Sequence, residues 1–198
     1  MTLIFASANK NKILEINALV PKHHNVIGLP DVGIFEDIPE TGTTLKENSF
    51  LKANYVLNFL KQKNQTAIVF ADDSGLEVEA LNGEPGVYSA RYAGEQKNNQ
   101  ANNTKLLQQL NGKTNRVARF VTVITLILNG KTHYFEGEIK GTITTQCIGN
   151  NGFGYDPLFI PSGHNITFAQ MDAQLKNTIS HRAIAVKKLI EFISNVKP

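Results

Sequence analysis

The chain has 198 residues, of which 41% are hydrophobic and 19% are charged, and its formal net charge is +3. This composition is typical of a globular protein with a sizeable core, and it excludes a disordered chain or a small fold that needs disulfides. The small net charge, without any run of like charges, argues against a nucleic-acid-binding surface. The one cysteine, Cys147, excludes an internal disulfide, and we interpret it as a packing residue in a β-like stretch.

Two apolar stretches bear on the location of the protein. Residues 3–6 are too few for the core of a signal peptide, and the longest apolar stretch, 117–128, is interrupted by Arg119, Thr122 and Thr125. We therefore expect a cytoplasmic protein without a membrane span.

Hydrophobic periodicity predicts alternating strands and helices. In chain order these are a strand over 1–6, helix 13–20, strand 25–28, loop 31–42, helix 45–61, strands 66–71 and 76–81, loop 82–94, helix 99–110, strands 117–128 and 132–139, and a helix after Ser180. Thr44 and Glu47 form a capping box at the start of the long second helix. Asn129–Gly130 is a strong hairpin signal. The interspersed elements predict a mixed α/β sheet flanked by helices, in a single domain over 1–198.

The first candidate site is the junction between the first strand and the first helix. A helix N-terminus offers unpaired N–H groups, and a lysine adds a full positive charge, so this segment suits a phosphate group. It has no glycine and is not a Walker loop, and by itself it is better explained as a polar loop with a solvated lysine. Its residues are Ser7, Ala8, Asn9, Lys10, Asn11 and Lys12.

Carboxylates form the second candidate site. Asp72 and Asp73 follow a predicted strand, and adjacent carboxylates repel each other unless a cation or a proton lies between them. Mg²⁺ binds a few carboxylate oxygens together with waters and phosphates. In a regular strand the two side chains point to opposite faces, so one of them contacts a metal more directly than the other. Glu40, in the acidic loop, is a further candidate ligand, whereas an Asx turn in water is the alternative for the aspartates.

A third group of residues lies towards the C-terminal end. In the segment 152–157, the glycines permit close approach of the backbone to a ligand, Phe153 suits stacking on a purine, and Asp156 suits a hydrogen bond to a base. Lys176 and the segment 180–182 supply hydrogen-bond donors, which favour the 6-oxo group of inosine or xanthine over the 6-amino group of adenine. The alternatives are a tight loop with a core aromatic residue and exposed basic residues at a helix start.

Taken together and in this order, these motifs resemble the inosine triphosphate pyrophosphatase family, whose members remove damaged purine nucleoside triphosphates. The resemblance runs from Ala6 to about Leu189. The motifs that carry it lie at residues 7–12, 40–42, 47–53, 71–94, 135–143, 152–159 and 180–182. The block 71–94 and the Gly-Phe-Gly-Tyr-Asp-Pro loop are its most specific parts.

The resemblance implies hydrolysis of the triphosphates of inosine, deoxyinosine and xanthosine to monophosphate and pyrophosphate, with Mg²⁺ or, in its place, Mn²⁺. It implies an elongated two-lobed fold with a central cleft, and a homodimer. It implies that Asp73 is the catalytic residue, as the general base or as the acid that orients the attacking water, and that the metal is held by Glu40, Asp72 and Asp73. The implied triphosphate-binding residues are Ser7, Ala8, Asn9, Lys10, Asn11, Lys12, Lys52 and Ser74. The implied base-binding residues are Phe153, Gly154, Tyr155, Asp156, Lys176, His181 and Arg182.

The chain departs from the family pattern beside the base-binding residues. Gln174 and Leu175 stand where the family often has two glutamates, and Ala183 stands where it often has glycine. These departures put the base preference in doubt, but leave the acidic residues unaffected. A pyrophosphatase with another base preference stays an alternative, as does a nucleotide sensor or RNA-binding module without catalysis.

Overall fold

The computed structural model describes residues 2–65 and 67–196. The elements in chain order are β1 (Thr2–Phe5), α1 (Lys10–Leu19), β2 (Asn25–Ile27), α2 (Leu45–Gln62), β3 (Ile68–Val78), α3 (Asn99–Gln109), β4 (Val117–Leu128), β5 (Lys131–Ile143), β6 (Phe159–Pro161), α4 (Ala173–Ile179) and α5 (His181–Asn195). Met1 and Thr66, with which two predicted strands begin, lie outside the described residues.

The six strands form one sheet in the order β2-β1-β3-β4-β5-β6. β1 pairs in parallel with both β2 and β3, whereas β5 and β6 are antiparallel. β4 and β5 are joined by Asn129 and Gly130, whose φ angles of 51° and 75° are those of a tight hairpin turn. The predicted fold class, a mixed sheet flanked by helices, is confirmed.

The chain divides into two compact units, each of which packs mainly within itself. The first consists of the described parts of residues 1–73, 122–137 and 182–198, and the second of residues 74–121 and 138–181. The predictions of a single domain, of two lobes and of a central cleft stay predictions.

Each unit has its own apolar core. In the first unit, Leu3, Phe5 and Phe70 pack with residues of α1 and α5, while Ile4 and Val69 pack with residues of α2. The strands there are covered on both faces, which explains why β1 and β4 read as nearly continuous apolar runs. In the second unit, buried residues include Leu76, Leu106, Phe120, Leu158, Phe159 and Phe168.

Several predicted boundaries are corrected. The strands predicted over 66–71 and 76–81 are one strand, β3, which continues through the Asp-Asp-Ser-Gly sequence and ends at Val78. β5 extends to Ile143, and α1 begins at Lys10 rather than at residue 13. β6 and α4 were not predicted, because three and seven residues are too few for a clear periodic pattern. Cys147 is exposed, so its interpretation as a packing residue is wrong.

Candidate active site

β3 presents Asp72 and Asp73 to different partners. The two residues lie inside a regular strand, in which successive side chains point to opposite faces. Both are buried, with 1% and 7% of their surface exposed. Their carboxylates therefore depend on neighbouring cations rather than on water for stabilisation.

The carboxylate of Asp72 is bound by two cations. Lys12 Nζ donates to its Oδ1 at 3.0 Å, and Arg182 Nε donates to its Oδ2 at 3.1 Å. Burial acts to raise the pKa of Asp72, but the positive charges of Lys12, Arg182 and Lys52 outweigh it and hold that pKa well below its usual range. Asp72 is therefore a charged residue with a cation on each oxygen.

Arg182 connects Asp72 with α1. Its guanidinium also donates to the carboxylate of Glu15, and 2% of the arginine surface is exposed. Burial acts to lower its pKa, but Asp72 and Glu15 raise it above its ordinary value. The resemblance placed Arg182 among the base-binding residues, whereas the structure places it in the first unit with these two carboxylates.

The carboxylate of Asp73 is in a different environment. Lys52 Nζ donates to its Oδ1 at 3.2 Å and to Glu40 Oε1 at 2.8 Å. Asp73 Oδ2 is buried and has no hydrogen-bond partner within residues 2–65 and 67–196. Burial raises the pKa of Asp73, since the attraction of Lys52 and Lys12 offsets only part of the desolvation and Glu40 adds repulsion. The unsatisfied oxygen is thus a base with an elevated proton affinity.

Lys52 links two parts of the first unit. Burial acts to lower its pKa, but Asp73 and Glu40 raise it above the ordinary lysine value, so it remains an ammonium ion. Because an ammonium group has three N–H donors, two of them hold the carboxylates and one remains for another acceptor.

The loop that carries Glu40 is fixed at the start of α2. Gly42 N donates to Asn48 Oδ1 at 2.8 Å, and Thr44 and Glu47 form the predicted capping box. A Cβ at Gly42 would lie 2.6 Å from Glu47 Cβ, so only glycine fits this close approach. The cap therefore determines where Glu40 meets Lys52.

The start of α1 is the predicted helix N-terminus, but its donors are partly occupied. Asn9 Oδ1 accepts from the N–H groups of Asn11 and Lys12 at 3.0 and 3.1 Å, and Ser7 Oγ accepts from Asn9 N at 3.2 Å. Ala8, Asn9, Lys10 and Asn11 are exposed, whereas Lys12 reaches Asp72. A phosphate bound here would meet side chains more readily than backbone N–H groups.

In the second unit, Asp156 organises the Gly-Phe-Gly-Tyr-Asp-Pro loop. Its Oδ2 accepts from Phe153 N at 2.8 Å and from Lys176 Nζ at 2.5 Å. Lys176 Nζ also lies 5.1 Å from the centroid of the Phe153 ring. A Cβ at Gly152 would lie 2.0 Å from Asp156 Oδ2, so the position requires glycine. The loop and α4 thus bring an aromatic ring, a carboxylate and an ammonium together.

The remaining predicted site residues, Tyr155, His181 and Ser74, lie in different local environments. Tyr155 donates from its hydroxyl to Ser89 O at 2.9 Å, and burial raises the pKa of Tyr155 far above its ordinary value. His181 is buried and stacks on Phe120, with ring centroids 4.7 Å apart and planes at 11°. Ser74 is the next residue of β3 after Asp73 and is half-buried.

Three residues in these arrangements were not predicted. Glu15 follows Asn9 and Lys12 at intervals of three, so helical spacing was a usable signal for it. Asn103 donates from Nδ2 to Gly154 O at 3.1 Å, and Phe120 stacks on His181. Neither of these has a sequence signal, because each acts across a long separation in the chain.

Within the described part of the chain, no group of three or more His, Cys, Asp or Glu side chains is arranged to hold a metal ion. A pair of carboxylates that shares a metal with substrate phosphates and water does not need such a group. No helix among the described residues is long and apolar enough to cross a membrane.

Known proteins that resemble this chain match it over nearly its full length. A family model described as the Ham1 family matches residues 3–192. The protein named dITP/XTP pyrophosphatase from Flavobacterium psychrophilum is 53% identical over 195 residues, covering 98% of this chain and 100% of that protein. The protein of the same name from Porphyromonas gingivalis is 50% identical over 192 residues, covering 96% of this chain and 96% of that protein. The Ham1 protein structure from Staphylococcus aureus is 42% identical and superimposes with a TM-score of 0.87, covering 100% of both chains.

Proposed function

This chain belongs to the Ham1 family, and on that premise we propose that it hydrolyses dITP and XTP to nucleoside monophosphates and pyrophosphate. The activity is the one in the names of its relatives. For it the chain supplies Asp73 as a buried proton acceptor, Lys12 and Lys52 as cations, and an aromatic loop at 152–157 for the purine. Removal of such damaged purines prevents their incorporation into DNA and RNA. We further propose a cytoplasmic homodimer that takes this small-molecule substrate and does not bind nucleic acid.

The observation that carries this proposal is the buried, unsatisfied Oδ2 of Asp73. An unpaired carboxylate oxygen in a buried position is costly unless the site has a use for it. Its pKa is raised, which strengthens it as a proton acceptor, while Lys52 fixes the orientation of the other oxygen. This is the arrangement expected of a general base that accepts a proton from water.

Magnesium fits this donor set through Glu40 and Asp73. Both are hard oxygen ligands and both contact Lys52 through one oxygen, while Oδ2 of Asp73 stays available as the proton acceptor. Asp72 has a cation on each oxygen, so we assign it to the support of Lys12 and Arg182 rather than to direct metal contact. When bound, Mg²⁺ neutralises phosphate oxygens and orients them for in-line attack, and Mn²⁺ accepts the same ligands.

Side chains of this protein accept the proton of the attacking water and stabilise the negative charge of the leaving pyrophosphate. A water oxygen attacks the α-phosphorus while Asp73 Oδ2 accepts the water proton, and the bond from the α-phosphorus to the bridging oxygen breaks. Lys12 and Lys52 each retain N–H donors for the phosphate oxygens, on which negative charge accumulates as pyrophosphate leaves. Ser7, Ser74 and the side chains of residues 9–11 add hydrogen bonds to the triphosphate.

Base preference is assigned to the second unit. Phe153 stacks on the purine, and Lys176, held by Asp156, donates to the 6-oxo group of hypoxanthine or xanthine. The 6-amino group of adenine would place a donor against this donor, and buried unpaired polar groups discriminate strongly between substrates. His181, which stacks on Phe120, is a further hydrogen-bond donor that we assign to base binding.

The experiment is a measurement of pyrophosphate release from dITP, XTP, dATP and dGTP, with Mg²⁺ and with a chelator. We expect metal-dependent release from dITP and XTP and little from dATP, whereas dGTP, which shares the 6-oxo group, tests recognition at the 2-position. Asp73→Asn should reduce turnover by orders of magnitude, and Glu191→Gln, an exposed change on α5, should not. Absence of release from all four substrates would reject the proposal.

A further inference from the structure

Two consecutive asparagines on α3 hold two different loops of the second unit. Asn102 Oδ1 accepts from Ala93 N at 2.7 Å, and its Nδ2 donates to Ala90 O at 2.9 Å. Asn103 Nδ2 donates to Gly154 O at 3.1 Å. Both asparagines are buried, with 2% and 7% of their surface exposed, so these hydrogen bonds are shielded from competing water.

Gly154 lies in the middle of the loop to which the base-binding role is assigned. The loop contains two glycines in the left-handed region, Gly152 with φ of 72° and Gly154 with φ of 62°. Glycine permits this conformation, but it also permits many others, so it does not by itself hold the Gly154 peptide in one orientation. A side-chain hydrogen bond to that carbonyl favours one orientation of the peptide over the others.

An open pocket lies on the α3 side of the loop. A cavity of about 360 Å³ is lined by Phe153, Gly154 and Pro157 and, from α3, by Asn103 and Leu107. Because close packing is what normally fixes a backbone, a segment beside a cavity depends more on its individual hydrogen bonds. Asn103 lines this pocket and donates from it to the Gly154 carbonyl.

The neighbouring residues of the loop are fixed by other elements. Tyr155 donates to Ser89 O at 2.9 Å, and Asp156 binds Lys176 Nζ and Phe153 N. The carbonyl of Gly154 lies between the backbone of Phe153, which Asp156 holds through Phe153 N and Phe153 O, and the buried side chain of Tyr155. A change in the orientation of this peptide would shift the turn that carries the Phe153 ring.

We propose that Asn103 is a positioning residue for base binding: its hydrogen bond to Gly154 O sets the orientation of the Phe153 ring on which the purine stacks. The inference rests on the proposed function, because it takes Phe153 to be the stacking residue. Asn103 acts through the loop and does not contact the reacting phosphates, so its removal should weaken base binding and leave the chemical step intact.

The test uses Asn103→Leu, which keeps the approximate volume and removes the donor, and Asn103→Asp, which keeps the shape but replaces the donor with an acceptor. Gln108→Leu, an exposed amide-to-leucine change on the same helix, is the matched control. Steady-state kinetics with dITP give kcat and KM. Tripolyphosphate, which carries no base, is used as a competitive inhibitor, and titration calorimetry gives the affinity for dIMP.

We expect both Asn103 variants to raise KM for dITP and weaken dIMP binding by about tenfold, the effect of one lost buried hydrogen bond. The kcat, the inhibition constant of tripolyphosphate and all constants of Gln108→Leu should stay near wild type. Unchanged KM and dIMP affinity in a folded Asn103 variant would overturn the inference. A fall in kcat with weaker tripolyphosphate inhibition would also overturn it, because it would indicate general disruption. A wild-type protein that does not cleave dITP would instead reject the proposed function.

Discussion

Asp72 and Asp73 are adjacent on one strand, yet their carboxylates have pKa values displaced in opposite directions. Strand geometry sends the two side chains to opposite faces, where Asp72 meets Lys12 and Arg182 while Asp73 shares Lys52 with Glu40. One aspartate is therefore neutralised by the protein itself, and the other retains basic character. The pair illustrates how a single sequence motif divides into a supporting residue and a reacting residue.

This division predicts opposite effects on stability. Asp72→Asn removes the partner of two buried cations and should lower the free energy of unfolding by about 3–5 kcal/mol, the usual cost of breaking a buried ion pair. Asp73→Asn removes a buried charge whose pKa is raised, and should leave the free energy of unfolding equal or higher at neutral pH. Urea unfolding of the metal-free variants measures both values. Equal losses for the two variants would contradict the assignment.

The contribution of Asp72 should also depend on pH. Its folded-state pKa lies below the ordinary value of 3.8, so the ionised form stabilises the folded protein above that value. The contribution is lost as the pH falls from the unfolded-state pKa through the folded-state pKa. The difference in unfolding free energy between wild type and Asp72→Asn, measured in urea, should be constant near neutral pH and shrink in strong acid. If this difference stayed constant in strong acid, the ionised carboxylate of Asp72 would not be the source of the stabilisation.

Arg182 gives a third prediction, because its guanidinium donates to the carboxylates of Asp72 and Glu15. Arg182→Met keeps much of the side-chain length but leaves Glu15 and one oxygen of Asp72 without their cation. We expect a loss of about 3–5 kcal/mol in unfolding free energy and an unchanged ratio of kcat/KM between dITP and dATP. If stability were retained while this ratio changed, Arg182 would belong to base recognition.

Substitution of Lys52 should affect metal binding and catalysis in opposite directions. Its ammonium occupies one oxygen each of Glu40 and Asp73, and so competes with a divalent cation for these carboxylates. Lys52→Met should therefore increase the rise in Tm that Mg²⁺ produces in the absence of nucleotide. Pyrophosphate release from dITP should fall roughly 10²-fold, since a cation that stabilises phosphate charge is lost. A smaller Mg²⁺ effect than in wild type would place the metal away from this pair.

Local sequence signals predicted most of the fold. The Thr44–Glu47 cap, the Asn129–Gly130 turn and the limits of β4 depend on neighbouring residues, and the structure has each of them. The polar run within β3 was predicted to separate two strands, because Asp, Ser and Gly favour turns. Buried ion pairs and pairing with adjacent strands overcome that preference.

The candidate site was only partly predictable, for a physical reason. Lys12 and Asp72 are 60 residues apart, and Arg182 and Asp72 are 110 residues apart, so no spacing rule connects them. The motifs marked Asp72, Asp73 and Lys52 as important residue types. Only the folded chain shows that each oxygen of Asp72 has a cation and that Lys52 binds one oxygen of Asp73. The role of Asn103 depends on the same kind of distant contact.

The exposed thiol of Cys147 lies in the lining of the cavity behind the Phe153 loop. Because it is the one cysteine of the chain, a thiol-reactive fluorophore attaches at a single known position without any further mutation. The attached dye would report by its emission whether purine binding rearranges this loop.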